Sequence, residues 1–247
     1  MRRTQWIILL VIFWSVLVIK NIPAQWGVWF ANPPAQMSGV SGTLWAGKAA
    51  TVVLPYPNGA FSLGEFSWSL RPLSVLTLNP CAEFIAELSD QSISGVACST
   101  VGGDLELSDV EITVPAAAAE VWMPVSIRGE FFAKIDTLKI SNNAIVALSG
   151  QGSWSDARYH NSQVWMDIGS MAFDLQADGA GGMRATVEDI EGPMGLDIIS
   201  TFSLNGAYDI RGDIELRPNA PQEIAQLLTI IAKQVSQDRY RFEWVGS

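Results

Sequence analysis

Across most of the chain, apolar and polar residues change places at every second position. Phe66, Trp68 and Leu70 alternate with Glu65, Ser67, Ser69 and Arg71, and Met171, Phe173 and Leu175 with Ala172, Asp174 and Gln176. Tyr208, Ile210, Ile214 and Leu216 alternate with Asp209, Arg211, Asp213 and Glu215. A period of two sends successive side chains to opposite faces of an extended chain, so these segments read as half-buried strands. One apolar and one polar face suits antiparallel pairing with one side in water; a doubly covered parallel sheet would show continuous apolar runs.

Turn signals separate the strands: Pro57-Asn58-Gly59, Val101 to Asp104, Ser141-Asn142-Asn143, Asp178 to Gly182, Gly192-Pro193 and Asn205-Gly206. The firmest hairpin joins Leu196 to Leu204 with Ala207 to Leu216 through Asn205-Gly206, residues that accept positive backbone angles. Two strands change phase partway, near Ser108-Asp109 and near Asp136-Thr137, as one extra residue in each would require. Bulges bend and twist a sheet, so the expected fold is mainly β: a curved antiparallel sheet, a partial barrel or trough.

Helices are few. Pro115 opens a short turn over Ala116 to Glu120 that Pro124 ends, and Pro72 opens another through Leu76. Near the carboxyl end, Asn219 as cap and Pro221 in the first turn precede Ile224, Leu227, Leu228, Ile231 and Val235 at helical spacing. Glu223 and Lys233 suit the helix dipole, and the stripe predicts an amphipathic helix packed on the sheet. Tyr240, Phe242 and Trp244 then share one face of a final strand, as core packing.

The amino terminus has a different pattern. An uncharged run from Trp6 to Ile19 includes Ile7, Leu10, Phe13, Trp14 and Leu17, between Arg2-Arg3 and Lys20. At 1.5 Å per residue the run covers about 21 Å, and Thr4, Gln5 and the residues after Lys20 can lengthen it toward a bilayer span. A cleaved signal peptide and an uncleaved anchor compete. Ile22-Pro23-Ala24 sets a bulky residue and a proline in the wrong places for an A-x-A-like cleavage site, and Trp26, Trp29 and Phe30 sit where an interfacial aromatic belt belongs, so a single-pass transmembrane helix with a cytoplasmic amino end is favoured. Residues 1–30 then form the cytoplasmic stub, anchor and interface segment, and residues 31–247 an exported domain that deletion of 1–30 should release. In an oxidising compartment Cys81 and Cys98 favour a disulfide over two free thiols, closing a loop worth roughly 3 kcal/mol.

Composition excludes several functions. Only 16% of residues are charged, and 25 acidic against 15 basic residues give a net charge of -10, so the chain lacks the basic stripe that nucleic acid requires. One histidine, His160, and two cysteines leave little for a transition metal. Gly39-Val40-Ser41-Gly42-Thr43 misses the nucleophile elbow by one position, and Asp178 to Gly182 lacks the Gly-Lys-Ser/Thr ending of a phosphate loop. His160, beside Ser155 and Asp156, reads as a surface-loop residue. No catalytic residues and no cofactor are expected, and the chain reads as non-enzymatic.

Val40 to Ala49 (VSGTLWAGKA) shortly after an amino-terminal anchor, then Trp68-Ser69-Leu70-Arg71-Pro72, resembles the start of type II secretion system protein N. Gly150 to Trp154, Gly192-Pro193, Leu204 to Tyr208 and a terminal helix followed by Tyr240-Arg241-Phe242 fall in the order expected of that family. Gly42, Leu44, Trp45, Gly47, Trp68 and Pro72 carry the motif. On their own chemistry Gly42 and Gly47 are turn residues around a short strand, and Trp45 and Trp68 are packed core residues on neighbouring strands. The same motif pair also resembles the AsmA-like group of periplasmic β proteins anchored in the inner membrane.

The first resemblance implies an accessory subunit of the type II secretion machine, held in the cell inner membrane. Its periplasmic domain would dock other subunits during export of folded proteins across the outer membrane. The second implies a lipid-handling alternative, with an acyl chain in an apolar groove. Partners are accordingly other secretion subunits and inner-membrane lipid, with no nucleic acid.

Overall fold

The computed structural model describes residues 2–246 except 32, 57, 58, 101, 122–124, 162 and 219. The side chains of Arg2 and Arg3, the turn at Pro57-Asn58, Val101, Pro124 and the expected cap Asn219 lie outside the described residues. The chain divides into two compact units, residues 1–89 and 90–247.

The first unit opens with helices α1 (Arg2–Lys20) and α2 (Ala24–Ala31). Strands β1 (Gln36–Ser38), β2 (Ser41–Gly42), β3 (Ala46–Tyr56) and β4 (Gly59–Leu70) follow, then the short helix α3 (Pro72–Leu76) and β5 (Cys81–Leu88). All pairing is antiparallel: β1 and β2 both pair with β3, β3 with β4 and β4 with β5. Ala49, Val52 and Ala86 are buried. Cys81 begins β5.

The second unit is a meander of β6 (Gln91–Ser99), β7 (Leu105–Pro115), β8 (Ser126–Ser141), β9 (Ala144–His160), β10 (Trp165–Ala177), β11 (Met183–Glu191), β12 (Met194–Phe202) and β13 (Tyr208–Leu216). Each strand pairs antiparallel with the next. A 3-10 turn (Ala116–Val121) follows Pro115. Helix α4 (Gln222–Ile231), the two-residue β14 (Lys233–Gln234) and β15 (Arg239–Gly246) complete the unit. Strand β15 pairs with β13, and β14 with β15. Cys81 and Cys98, the latter in β6, are both disulfide-bonded, and no cysteine is free.

Both expected bulges are present. Between Ser94↔Glu111 and Val96↔Ser108, β7 holds one residue more than β6, and Asp109 there takes φ +51°. Between Ile135↔Gly150 and Thr137↔Ser149, Asp136 is the extra residue of β8. Each extra residue restores the apolar set to one face after a phase change. The hairpin at Ser141-Asn142-Asn143-Ala144 turns on Asn142 and Asn143 at φ +49° and +59°, the geometry that a two-residue loop requires. The Asn205-Gly206 hairpin is wider than expected: its strands end at Phe202 and restart at Tyr208, and Asn205 Oδ1 accepts from Ala207 N–H at 3.1 Å.

The second unit's core lies under α4. Ile224 and Leu228 are 1% and 2% exposed and meet Met166, Met194, Ile214, Tyr240 and Phe242. The helix ends earlier than its sequence pattern suggests, because Ala232 turns extended and Lys233 enters β14. Val235 therefore falls outside the stripe and is exposed. The aromatic row of β15 also stops short: Tyr240 and Phe242 are buried, but Trp244 is exposed, its ring tilted against that of Phe242 with centroids 5.1 Å apart.

Candidate functional site

The residues of the Gly-Thr-Leu-Trp segment converge on the junction between α1 and the sheet. The last carbonyls of a helix have no partners within it. Here the Trp45 indole Nε1–H donates to Ile19 O at 2.7 Å, across 26 positions of sequence. Leu44 N–H donates to Ile22 O at 2.8 Å, and Pro23 forms an isolated bridge with Thr43. Behind them, Trp68 Nε1–H donates to Leu44 O at 3.1 Å, and Leu70 N–H donates to Trp45 O at 2.7 Å. Leu44 and Trp45 thus bridge the root of α1 to the end of β4.

Two glycines make this clasp possible. Gly42 sits at φ +88°, which L side chains rarely adopt. Gly47 lies directly under the Trp68 ring: a Cβ there would be 2.4 Å from Cζ2. Gly47→Val should therefore displace Trp68, break its bond to Leu44 and cost about 1–3 kcal/mol, read as a lower urea midpoint with a shifted tryptophan emission. The expectation that Trp45 is a core residue on a strand is corrected here. It lies between β2 and β3, half-buried, and acts as a cap on α1.

The large apolar side chains described in α1 face outward. Trp6, Ile7, Leu10, Phe13, Trp14, Leu17 and Ile19 range from 39% (Leu17) to 72% (Trp6) exposed. Helix α2 buries Ala24 and turns Trp26, Trp29 and Phe30 outward. No helix among the described residues is long and apolar enough to cross a membrane.

In the second unit the outward face of β13 and β15 carries matched charges. Asp213 pairs in register with Arg241, Glu215 with Arg239 and Arg211 with Glu243. The Arg241 Nε and Nη2 groups donate to the Asp213 carboxylate at 2.9 and 3.0 Å, and Arg239 donates to Glu215 at 2.8 Å. Arg211 spans Asp209 and Glu243, while Arg217 is paired to Asp189. A shallow cavity of about 480 Å³ is lined there by Arg184, Asp197, Arg211 and Arg241 together with the apolar Ile199 and Phe242.

The Arg241 hydrogen bonds hold the Asp213 carboxyl below the usual carboxylate range, and Asp213 in turn raises Arg241. Backbone N–H groups of Gly182 and Ala180 lower Asp178 in the same way. A carboxylate depressed in the folded state stabilises the fold above its unfolded value near 3.9, and that stabilisation disappears as pH falls through the folded value. Arg241→Gln should accordingly flatten the loss of urea resistance below about pH 4, measured against the parent chain across an acid titration.

Beyond Arg241, β15 has an open outer edge. Strand β14 meets only Tyr240 and Arg241, and among the described residues no strand covers Phe242 to Gly246. Trp244 and Val245 are exposed along that stretch.

His160 is no loop residue: it ends β9, with its ring 4.9 Å from that of Trp165. A bulge around Ser155 and Asp156, the latter at φ +49°, breaks the period and hides the strand from a sequence reading. No group of three or more metal-ligating side chains occurs among the described residues.

The family model described as "Type II secretion system (T2SS), protein N" matches residues 33–243. The chain belongs to the type II secretion system protein N family. Type II secretion system protein N of Aeromonas hydrophila is 24% identical over 243 residues, covering 94% of this chain and 90% of the relative. Its counterpart from Vibrio cholerae is 24% identical over 246 residues, covering 93% of this chain and 92% of the relative. No solved structure matches the chain. Family membership supports a role in type II secretion. Leu44, Trp45 and Trp68 of the clasp lie inside the matched region, whereas α1 and the Ile19 and Ile22 carbonyls they hold precede it.

Proposed function

We propose that this type II secretion system protein N is a non-enzymatic accessory component held in the cell inner membrane by α1. Residues 31–247 would lie in the periplasm and dock other secretion subunits through the open edge of β15. The observation that carries the anchoring is the clasp: a helix whose described large apolar side chains are exposed is fixed to the sheet by Trp45 and Leu44. The uncharged part of α1 covers about 21 Å, with Thr4 and Gln5 to extend it, Lys20 to snorkel and modest bilayer thinning to make up the rest. Trp26, Trp29 and Phe30 of α2 would then lie in the outer interface.

The clasp also moves the boundary for a soluble version. A cut after Phe30 removes buried Ala24 and the Ile22 carbonyl that receives Leu44, so a cut after Lys20 is preferred. The test of function is a chromosomal deletion followed by assay of secreted type II substrates in the medium. Full-length protein should restore secretion, and a chain with Val245→Pro, which blocks strand addition, should not. Equal secretion by both would refute docking through β15.

One observation favours a second reading, a lipid-handling role. Ile112, Ala133, Gly152, Phe173 and Val187 form a continuous row across β7 to β11. These residues are half-buried, and none belongs to the cluster under α4. An acyl chain could lie along such a face. Lipid extracted in stoichiometric amount from the gently solubilised protein would support this reading.

A further inference from the structure

We propose that the loop carrying Leu73, Leu76 and Leu78 is a second membrane contact, inserting into the same outer leaflet from which α1 emerges. The inference rests on the reading of α1 as an anchor.

The loop is apolar where a solvent-facing loop should be polar. Between Arg71 and Glu83 the sequence contains no charge, and Leu73, Leu76 and Leu78 are 77%, 79% and 68% exposed. Helix α3 buries none of its residues, so the leucines do not serve a core. Leu78 is also held at φ +58°, a left-handed conformation that glycine or asparagine would adopt more readily. A turn in water would gain from either replacement, both by relief of backbone strain and by removal of exposed apolar area.

The loop is nevertheless well built. Ser74 Oγ donates to Arg71 O at 2.6 Å and accepts from Cys81 N–H at 2.8 Å. Arg71 N–H donates to Cys81 O at 2.8 Å, closing the base, and the Arg71 guanidinium is tied to Glu83. A rigid base thus presents three leucines outward.

Its position selects the partner. The loop springs from Leu70, whose N–H donates to Trp45 O, while the Trp45 indole donates to Ile19 O at the end of α1. A single residue therefore separates the loop's root from the last turn of α1, where Lys20 marks the edge of the apolar run. If α1 spans the bilayer, the loop starts at the level of the headgroups, where leucines bury their side chains and a neighbouring arginine remains in water.

The test uses the full chain in vesicles of phosphatidylethanolamine and phosphatidylglycerol. Leu76→Cys and, separately, Leu10→Cys are labelled with an environment-sensitive fluorophore under non-reducing conditions, which leave the native cysteines bonded. The label at residue 76 should emit to the blue, be shielded from iodide and lose most of its intensity to lipids carrying a shallow nitroxide. Full iodide access with no nitroxide quenching at residue 76 would overturn the proposal. Shielding in native membranes but not in pure lipid vesicles would also overturn it, in favour of a protein cover. Lipid quenching at residue 10 reports the anchor separately: its presence without quenching at 76 removes the loop proposal alone, and its absence removes the anchor.

Discussion

Ile224→Asp is expected to unfold the α4 region of the second unit. Ile224 is 1% exposed and packs with Leu228 against Met166, Met194, Ile214, Tyr240 and Phe242. No basic side chain belongs to that cluster, so the new carboxylate would be buried without a counter-charge. Loss of the apolar packing costs about 2–5 kcal/mol, and desolvation of the carboxyl adds several more, enough to exceed the stability of many domains. Ile224→Val, which removes one methylene, should cost only about 0.5–1.5 kcal/mol. Urea denaturation followed by circular dichroism checks the pair, and limited proteolysis should cut Ile224→Asp first between β13 and β15. If the two variants had the same midpoint, α4 would not cover the core as described.

The second large effect is expected at the membrane. Leu10→Arg with Trp14→Arg places two guanidinium groups in the middle of α1, at exposed positions away from the clasp residues Ile19 and Ile22. A charged residue at the centre of a spanning helix costs about 2.5–3.5 kcal/mol on insertion scales, so two should abolish integration while leaving the clasp intact. The variant should leave the carbonate-resistant membrane fraction in which the parent chain remains. Retention of both in that fraction would mean that α1 is not what holds the chain there. Leu10→Ala with Trp14→Ala is the matched control, with the apolar character reduced but no charge added.

Much of the fold was legible because it follows from a period of two. The strands from Phe66 onward, the extra residues at Asp109 and Asp136, and the buried stripe of α4 are local patterns, set by which face of a strand or helix meets the core. Trp45 was misread because its partner is the Ile19 carbonyl, 26 positions away, and nothing in local spacing distinguishes a tryptophan that packs from one that caps. The short edge strands β1 and β14 are too brief to show a period. Strand β9 was hidden past Ser155 because the bulge at Asp156 reverses the alternation there, which made the segment around His160 resemble a loop. The open edge of β15 was equally invisible, since whether a backbone has a neighbour depends on where β14 stops. Trp244 illustrates the same limit: its spacing matches that of Tyr240 and Phe242, but the packed cluster ends before it.

The proposed role as a docking component depends most directly on what touches β15 in the cell. A photo-crosslinking residue in place of the exposed Val245, in a strain carrying the complete secretion machine, addresses that contact. The expected result is an adduct whose second member is another type II secretion subunit, lost when Glu243→Pro, two positions from Val245 on the same outward edge, blocks strand addition. A lipid adduct alone, or a protein adduct with the same yield in a strain lacking the rest of the machine, would contradict it.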